Sequence, residues 1–369
     1  MRGELEQARR LTDDHFALLV PEALYDRPIP DRHRLIFYLG HLEAFDWNLI
    51  ARHALGAPSF QPAFDSLFAF GIDPEPGRAP HDSPADWPER AQVEDYNARV
   101  RESLDPLIAH APEELLHTAI EHRLMHAETL AYLFHNLPFE RKRGQPAEVP
   151  SGSPPRPEWV AIPAGWATLG RTEGFGWDNE FDEHRVFVPA FRIQNHKVTN
   201  GEYQEFVRAG GPRPHYWEGP DRLRLMFASV PLPLDHPVYV TQRQAQAYAE
   251  WRGLSLPTEA QWHRAAETAP GTGNCDFRSW DTGPEAGDFS PLTGNGWEWT
   301  ATQFAPFPGF QPRPYYPGYS ADFFDGAHYV LKGASPRTAA RFLRPSFRNW
   351  FRPDYPYVYA GFRCVENNG

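Results

Sequence analysis

Cysteine is almost missing: 369 residues include two, Cys275 and Cys364. That excludes a disulfide framework and a metal cluster built on neighbouring thiolates, so any bound metal has to be held by histidine or carboxylate. Long apolar runs are missing as well. No segment approaches the roughly 20 residues of a membrane-spanning helix. The first 20 residues, MRGELEQARRLTDDHFALLV, scatter charge where a secretory leader carries an apolar stretch. These two absences lead to the expectation of a cytoplasmic protein. The third absence is a basic surplus. Lys and Arg number 36 against 48 Asp and Glu, a formal charge of −12, whereas recognition of a phosphate backbone needs a clustered positive face. Neither nucleic acid nor membrane is expected as a partner.

What is plentiful is apolar and aromatic surface, 41% hydrophobic and 14% aromatic residues, which supplies packed interiors and excludes global disorder. A chain of this length predicts two domains. From Glu4 to about Leu137 the apolar spacing is helical, as in RHRLIFYLGHLEAFDWNLIARHAL, VEDYNARVRESLDPLIAHA and EELLHTAIEHRLMHAETLAYLFHNL. Three or four helices are expected, separated by Pro- and Gly-rich loops such as FGIDPEPGRAPHDSPADWP, in an up-and-down bundle with one long excursion. The stretch ERKRGQPAEVPSGSPPRPEW has the composition of a linker, placing the boundary near residue 150. Beyond it come short β-like runs (EWVAIPAGWATLG, RVFVPAFRIQNHKV, HYVLKGAS, YAGFRCV) and short helical runs (GEYQEFVRAG, QAQAYAEWRG). The 39 prolines, dense from Pro150 to Pro157 and spread through the second half, predict long loops there. No internal repeat supports a propeller or solenoid.

Sixteen histidines are present, and two of them, His122 and His126, stand at i and i+4 on a helix. Both imidazoles then leave one face a turn apart, the separation a single first-row metal needs. The bland alternative is a pair of polar residues on a solvated face. Against it, Ile120, Leu124, Leu130 and Leu133 form an apolar stripe beside the pair. A third ligand has to come from another helix, and His41 in FYLGHLEAFDW is the best candidate, because Gly40 permits close backbone approach and apolar residues surround it. His33 and His53 compete, but their charged neighbours mark them as exposed. Three neutral imidazoles suit Fe, Cu, Zn or Ni alike. Glu128 is a candidate acceptor behind a ligand imidazole, with an ordinary surface carboxylate as the alternative.

The two halves together resemble the ergothioneine-biosynthesis sulfoxide synthases, iron(II) enzymes that join a DinB-like bundle to a formylglycine-generating-enzyme-like domain. In the bundle the resemblance rests on GHLEAFDW and HRLMHAE. In the second half it rests on WVAIPAGWATLG, WDNEFDEHRVFVPAF, KVTNGEYQEFV, LPTEAQWHRAA, GNGWEWT, GYSADFFDGAHYVLKGAS, RPSFRNWF and AGFRCV, in the family's order. It covers nearly the whole chain and implies an α+β protein. A DinB-like four-helix bundle with linker would occupy residues 1–150, and a C-type-lectin-like mixed α/β domain with little regular structure residues 151–369.

The resemblance also implies Fe(2+) on His41, His122 and His126. Copper-dependent relatives of the second domain rely on a cysteine pair, and the matching stretch GASPRTAARFLRPSFRN has none. Formylglycine generation is thereby excluded, and the domain is expected to serve as a scaffold over the metal. In the family, hercynine, a betaine of histidine, is the substrate, and Asn349 and Trp350 match two positions used for it. An aromatic face suits a quaternary ammonium, although Trp350 also reads as a core aromatic. Two departures stand out: Met125 replaces a glutamine that contacts substrate, and Phe351 replaces an acidic residue after Asn-Trp. The family's proton-donating tyrosine falls in GFQPRPYYPGYS, with Tyr315 and Tyr316 ahead of Tyr319. Arg99 and Arg101 lie where some members bind a cysteine-derived co-substrate, without the family's spacing.

This rebuilt pocket and the texture of RHRLIFYLGHLEAFDWNL resemble the selenoneine synthase branch. The expected chemistry is O2-dependent carbon–selenium bond formation between a selenosugar and hercynine. A thiol donor, γ-glutamylcysteine, cysteine or a thiosugar, is the alternative. Two other classes compete: a zinc-dependent thiol transferase on the same type of bundle, and a binding protein with vestigial histidines.

Overall fold

The computed structural model describes residues 1–70, 81–269, 271–285, 289–290 and 292–367. It divides into two compact units, Met1–Gln145 and Pro146–Gly369. Residues 71–80 of the loop expected at FGIDPEPGRAPHDSPADWP lie outside the described residues.

In the first unit the helical periodicity becomes α1 (Arg2–Ala17), α2 (Leu35–Asp46), the short α3 (Pro62–Phe70), α4 (Arg90–Leu104) and α5 (Glu113–His135). Helix α1 packs on α5, while α2 touches α3, α4 and α5. The sequence of α2, LIFYLGHLEAFD, is apolar on nearly every face, which suits the helix with the most neighbours. Its axis continues as a π-helix over Trp47–Ala54, a form concentrated at functional sites. Helix α3 has only nine residues, too few for a distinct periodicity in the sequence. Pro62 opens it, at a turn where the missing N–H has no intrahelical partner to lose.

The second unit is built from short pieces, in keeping with its prolines. Strands β1 (Trp159–Ile162), β2 (Gly165–Leu169), β3 (His184–Val188) and β4 (Phe191–Gln194) lead into α6 (Asn200–Arg208). Then follow β5 (Arg222–Arg224), β6 (Ser229–Pro231), α7 (Gln242–Trp251), α8 (Glu259–Ala266), β7 (Gly296–Gln303), α9 (Gly318–Ala321), β8 (Tyr329–Ala334), β9 (Asn349–Phe351), β10 (Ala360–Gly361) and β11 (Val365–Asn367). The largest sheet runs β10-β7-β8-β9, a second runs β1-β4-β11, and β2-β3 and β5-β6 pair separately. Helices α6, α7 and α8 each start on a Thr-x-x-Glu/Gln capping box, at Thr199/Glu202, Thr241/Gln244 and Thr258/Gln261. Such a box satisfies two orphan N–H groups reciprocally and lets short helices persist between loops.

Buried ion pairs cross the irregular remainder. Arg363 and Lys197 meet Glu298 at 3.1 and 3.2 Å, and Arg348 meets Glu259 at 3.0 Å. Gly296, at φ +132°, could not carry a side chain, since a Cβ would fall 2.7 Å from the Tyr239 ring. The Pro-rich stretch near residue 150 is less free than its composition suggests. His236 Nε2 sits 2.8 Å from the Pro150 carbonyl, and the Gly152 N–H donates to Asp235 at 2.8 Å.

Candidate metal centre

Helices α2 and α5 bring His41, His122 and His126 together, with ligand nitrogens all within 4.8 Å of one another. His41 Nε2 and His122 Nε2 are 3.3 Å apart. With metal–nitrogen bonds of about 2.1 Å, two ligands of one ion stand roughly 3.0–3.4 Å apart, so this pair is already at ligand spacing. His41 Nδ1 donates to the Phe68 carbonyl at 2.6 Å, which leaves Nε2 as the lone-pair nitrogen and aims it at the cluster. Gly40 makes that bond possible: a Cβ there would lie 2.5 Å from the Phe68 ring.

The electrostatics favour neutral imidazoles. Burial lowers His41 to about 4 against the raising effect of its Phe68 hydrogen bond. Burial, followed by the neighbouring imidazoles, pushes His122 and His126 well below the ordinary histidine value. Neutral imidazole is the metal-binding form. The Nδ1 atoms of His122 and His126 are buried with no hydrogen-bond partner. Donor type, spacing and protonation state all fit a first-row divalent metal.

Two residues not singled out from the sequence complete the walls. Phe37 stacks on His41 at 4.8 Å and 25°, and Phe45 on His122 at 3.5 Å and 9°. Phe37, His41 and Phe45 are four residues apart along α2, so the signal in FYLGHLEAF was the i, i+4, i+8 spacing.

His33 is half-buried, its ring 4.1 Å from that of Phe37 at a 37° tilt, contrary to the exposure expected from its charged neighbours. Arg34 and Arg27 turn instead to Asp82, and the imidazole packs at a tilt against Phe37. His53 is exposed. Glu128 does not reach the Nδ1 atom of either α5 histidine. Two residues along a helix is a rotation of about 200°, which puts it on the far face from His126.

The remaining expected site residues divide between the units. Met125 is part-buried on α5 between the two histidine positions. Arg99 is exposed on α4, 3.3 Å from Asp95 and over the Phe60 ring. Arg101 is taken up at 2.7 Å by both oxygens of Asp13 and by Glu43.

In the second unit, Asn349, Trp350 and Phe351 form β9 at the edge of the largest sheet, Trp350 opposite Val330 of β8. Trp350 stacks on Phe304 at 4.2 Å and 6°, with the Tyr319 and Phe323 rings at 5.3 and 5.6 Å. Tyr319 stacks on Trp177 at 3.9 Å, and Tyr316 meets the same Trp177 edge-on at 6.4 Å. Burial raises the Tyr316 hydroxyl above the usual tyrosine value. The structure thus gathers Tyr316, Tyr319 and Trp350 into one aromatic cluster, with Tyr315 part-buried in the same segment. Phe351 turns to Tyr355, stacked at 4.9 Å.

Comparison with known proteins gives the same partition. Residues 4–137 match the DinB superfamily, and residues 145–289 and 282–368 match the sulfatase-modifying factor enzyme 1-like domain. A hercynine oxygenase of Mycolicibacterium thermoresistibile is 33% identical over 366 positions, covering 83% of this chain and 80% of that protein. The hercynine oxygenase of Mycobacterium tuberculosis is 35% identical over 235 positions, covering 51% of this chain and 55% of that protein. Ergothioneine biosynthesis protein 1 of Neurospora crassa is 26% identical over 492 positions, covering 95% of this chain and 56% of that protein. The chain therefore spans little more than half the length of the last two. With one family matched over each unit and hercynine oxygenases related across the junction, the chain belongs to the ergothioneine-biosynthesis sulfoxide synthase family.

Proposed function

We propose that this chain catalyses O2-dependent carbon–chalcogen bond formation on the imidazole of hercynine at an iron(II) centre held by His41, His122 and His126. The observation that carries the reading is the convergence of three neutral imidazoles on α2 and α5, with ligand nitrogens within 4.8 Å of one another and the His41–His122 pair at 3.3 Å. Bound iron would supply oxygen activation and open positions for the substrate imidazole and the donor. Gathering the reactants at one ion converts a multi-body encounter into a positioned reaction.

The other roles are assigned on the same reading. Asn349 and Trp350 hold hercynine. Phe304, Phe323 and Tyr319 around Trp350 supply faces that attract a desolvated quaternary ammonium. Tyr316, or its neighbour Tyr315, manages the proton released from the imidazole carbon. Arg99, whose exposed pair with Asp95 is weak, is more accessible to a charged donor than Arg101, which Asp13 and Glu43 occupy.

Met125 and Phe351, standing where other members place a glutamine and an acid, indicate a rebuilt pocket and favour a selenosugar donor, hence selenoneine synthase. A thiol donor is the alternative. Two buried free thiols and the absence of any described helix long and apolar enough to cross a membrane support a cytoplasmic setting.

The test is anaerobic loading with iron(II), hercynine and a panel of selenosugar, thiosugar, γ-glutamylcysteine and cysteine donors, then exposure to O2 and mass spectrometry. A carbon–selenium product formed preferentially from the selenosugar is expected, and replacing His126 by Ala should abolish it. No carbon–chalcogen product with any donor, or turnover with zinc in the absence of O2, overturns the reading.

A further inference from the structure

Directly behind the three histidines lies a cluster of charge that the proposed chemistry does not use. Glu43 and Asp46 on α2 are 1% and 0% exposed, and Arg123 on α5 is 0% exposed. Arg123 Nη1 stands 3.0 Å from Glu43, while its Nη2 donates to Asp46 at 2.7 Å and to the Leu42 carbonyl at 3.0 Å. From α1, Thr12 approaches Arg123 at 3.3 Å and Arg9 approaches Glu43 at 3.9 Å. From α4, Arg101 donates to Glu43 at 2.7 Å. One polar network therefore reaches all four long helices, with Arg123 at its centre.

Such a network is a poor device for stability. Removing charges from water costs several kcal/mol per ion, and replacing buried ion pairs with apolar residues is often neutral or stabilising. The cluster is also incompletely satisfied, since Arg123 Nε, Glu43 Oε2 and Asp46 Oδ1 are buried without hydrogen-bond partners. What buried polar groups do well is specify register, because a slipped alignment leaves them unpaired. Helix α2 needs such a device. Its LIFYLGHLEAF stretch is apolar nearly all round, so hydrophobic patterning alone does not choose its rotation or its height against α5.

The position of the network relative to the histidines gives this a functional consequence. His122 immediately precedes Arg123, and His41 lies two residues before Glu43. The Arg123 contacts to Glu43 and Asp46 and the His41–His122 approach join the same two helices at nearly the same height. Sliding α2 by one turn, about 5.4 Å, would destroy the 3.3 Å spacing between Nε2 atoms.

We infer that Arg123, through Glu43 and Asp46, is a positioning residue that fixes the register of α2 against α5 and so presets His41 and His122 for one metal ion. This rests on the proposed three-histidine metal site. It assigns to Arg123 a role in metal affinity separable from folding.

The experiment is a cobalt(II) titration of the intact chain, read by visible absorption, with far-UV circular dichroism and thermal unfolding in parallel. The main variant is the triple Arg123→Met, Glu43→Met, Asp46→Leu, which removes charges together instead of stranding one; Arg9 keeps Asp105 and Arg101 keeps Asp13. The expected result is an unaltered circular dichroism spectrum and a cooperative transition, with cobalt affinity reduced about tenfold or more, the loss typical when the groups behind metal ligands are disturbed. Arg123→Lys, which keeps the charge but not the forked bridge, should show a smaller loss with a shifted cobalt spectrum. A folded triple variant that binds cobalt within about twofold of the parent overturns the inference. If the triple variant does not fold, Arg123→Lys decides by the same titration. Loss of fold in both would assign the network to stability alone and overturn the inference too. A parent chain that binds no cobalt at the histidines would instead sink the metal site itself.

Discussion

Gly40 shows how one residue sets the geometry of another. The Phe68 ring lies where its Cβ would be, and that placement delivers the Phe68 carbonyl to His41 Nδ1. Phe68 is fully buried and cannot yield. Gly40→Ala should therefore destabilise the first unit by about 1–3 kcal/mol, the range for overpacking, against the ~1 kcal/mol that Ala ordinarily returns within a helix. Denaturant unfolding of the parent and variant checks this, and an unchanged or raised midpoint would show that the ring moves freely. At this scale the sequence is informative about candidate ligands and poor about the groups that support them. The four-residue spacing of His122 and His126 is a helical fact, whereas the Phe68 carbonyl that orients His41 comes from 27 residues away and has no side-chain signature. The proximity of Glu128 to His126 in sequence was misleading for the converse reason, because neighbours two apart on a helix face opposite ways.

Among the elements, the second unit relies on carboxylates that reach between segments. Glu180, at the end of the turn Asp178–Glu180, accepts from Arg344 at 2.8 and 2.6 Å and from Ser346 at 2.6 Å. Glu259, opening α8, pairs with Arg348, the residue before β9. Burial alone would raise both carboxyls. The Arg344 hydrogen bonds and charge around Glu180, and the Arg348 and Lys332 charges around Glu259, outweigh it and hold both below the usual glutamate value.

A carboxyl lowered on folding stabilises above its unfolded value, near 4.3, and that contribution is lost as pH falls through the folded value. Thermal unfolding of the full chain from pH 7 to pH 3 should show stability falling below about pH 4. Glu180→Gln should lower stability at neutral pH and flatten the acid limb. An acid limb identical to the parent's would remove Glu180 from the account. The prolines and strand-like runs made the texture of this unit legible, and three Thr-x-x-Glu/Gln starts fixed its main helices locally. The partners of Glu180 and Glu259 lie 164 and 89 residues away, so no local pattern contains them.

For the whole molecule, a metal bound by α2 and α5 favours the folded chain through mass action, contributing about 2.7 kcal/mol at a free concentration a hundred times its dissociation constant. Stripping with a chelator should lower the unfolding temperature of the full chain, and restoring iron(II) under anaerobic conditions should return it. The His126→Ala chain should show neither change. A chelated parent that unfolds at the same temperature as the loaded one would argue against a folded-state metal site. The sequence by itself determined what short-range periodicity and composition can carry: a helical first half, a loop-rich second half, an acidic chain nearly without cysteine, and a histidine pair one turn apart. Ordered motifs then tied both halves to one family. Tertiary structure decided what depends on separate segments meeting: the approach of His41 to His122 across 81 residues, the Arg123 network among four helices, and the Trp350 aromatic cluster. These contacts are set by register and helix rotation. An apolar helix such as α2 leaves both open until buried charges on its neighbours select one arrangement.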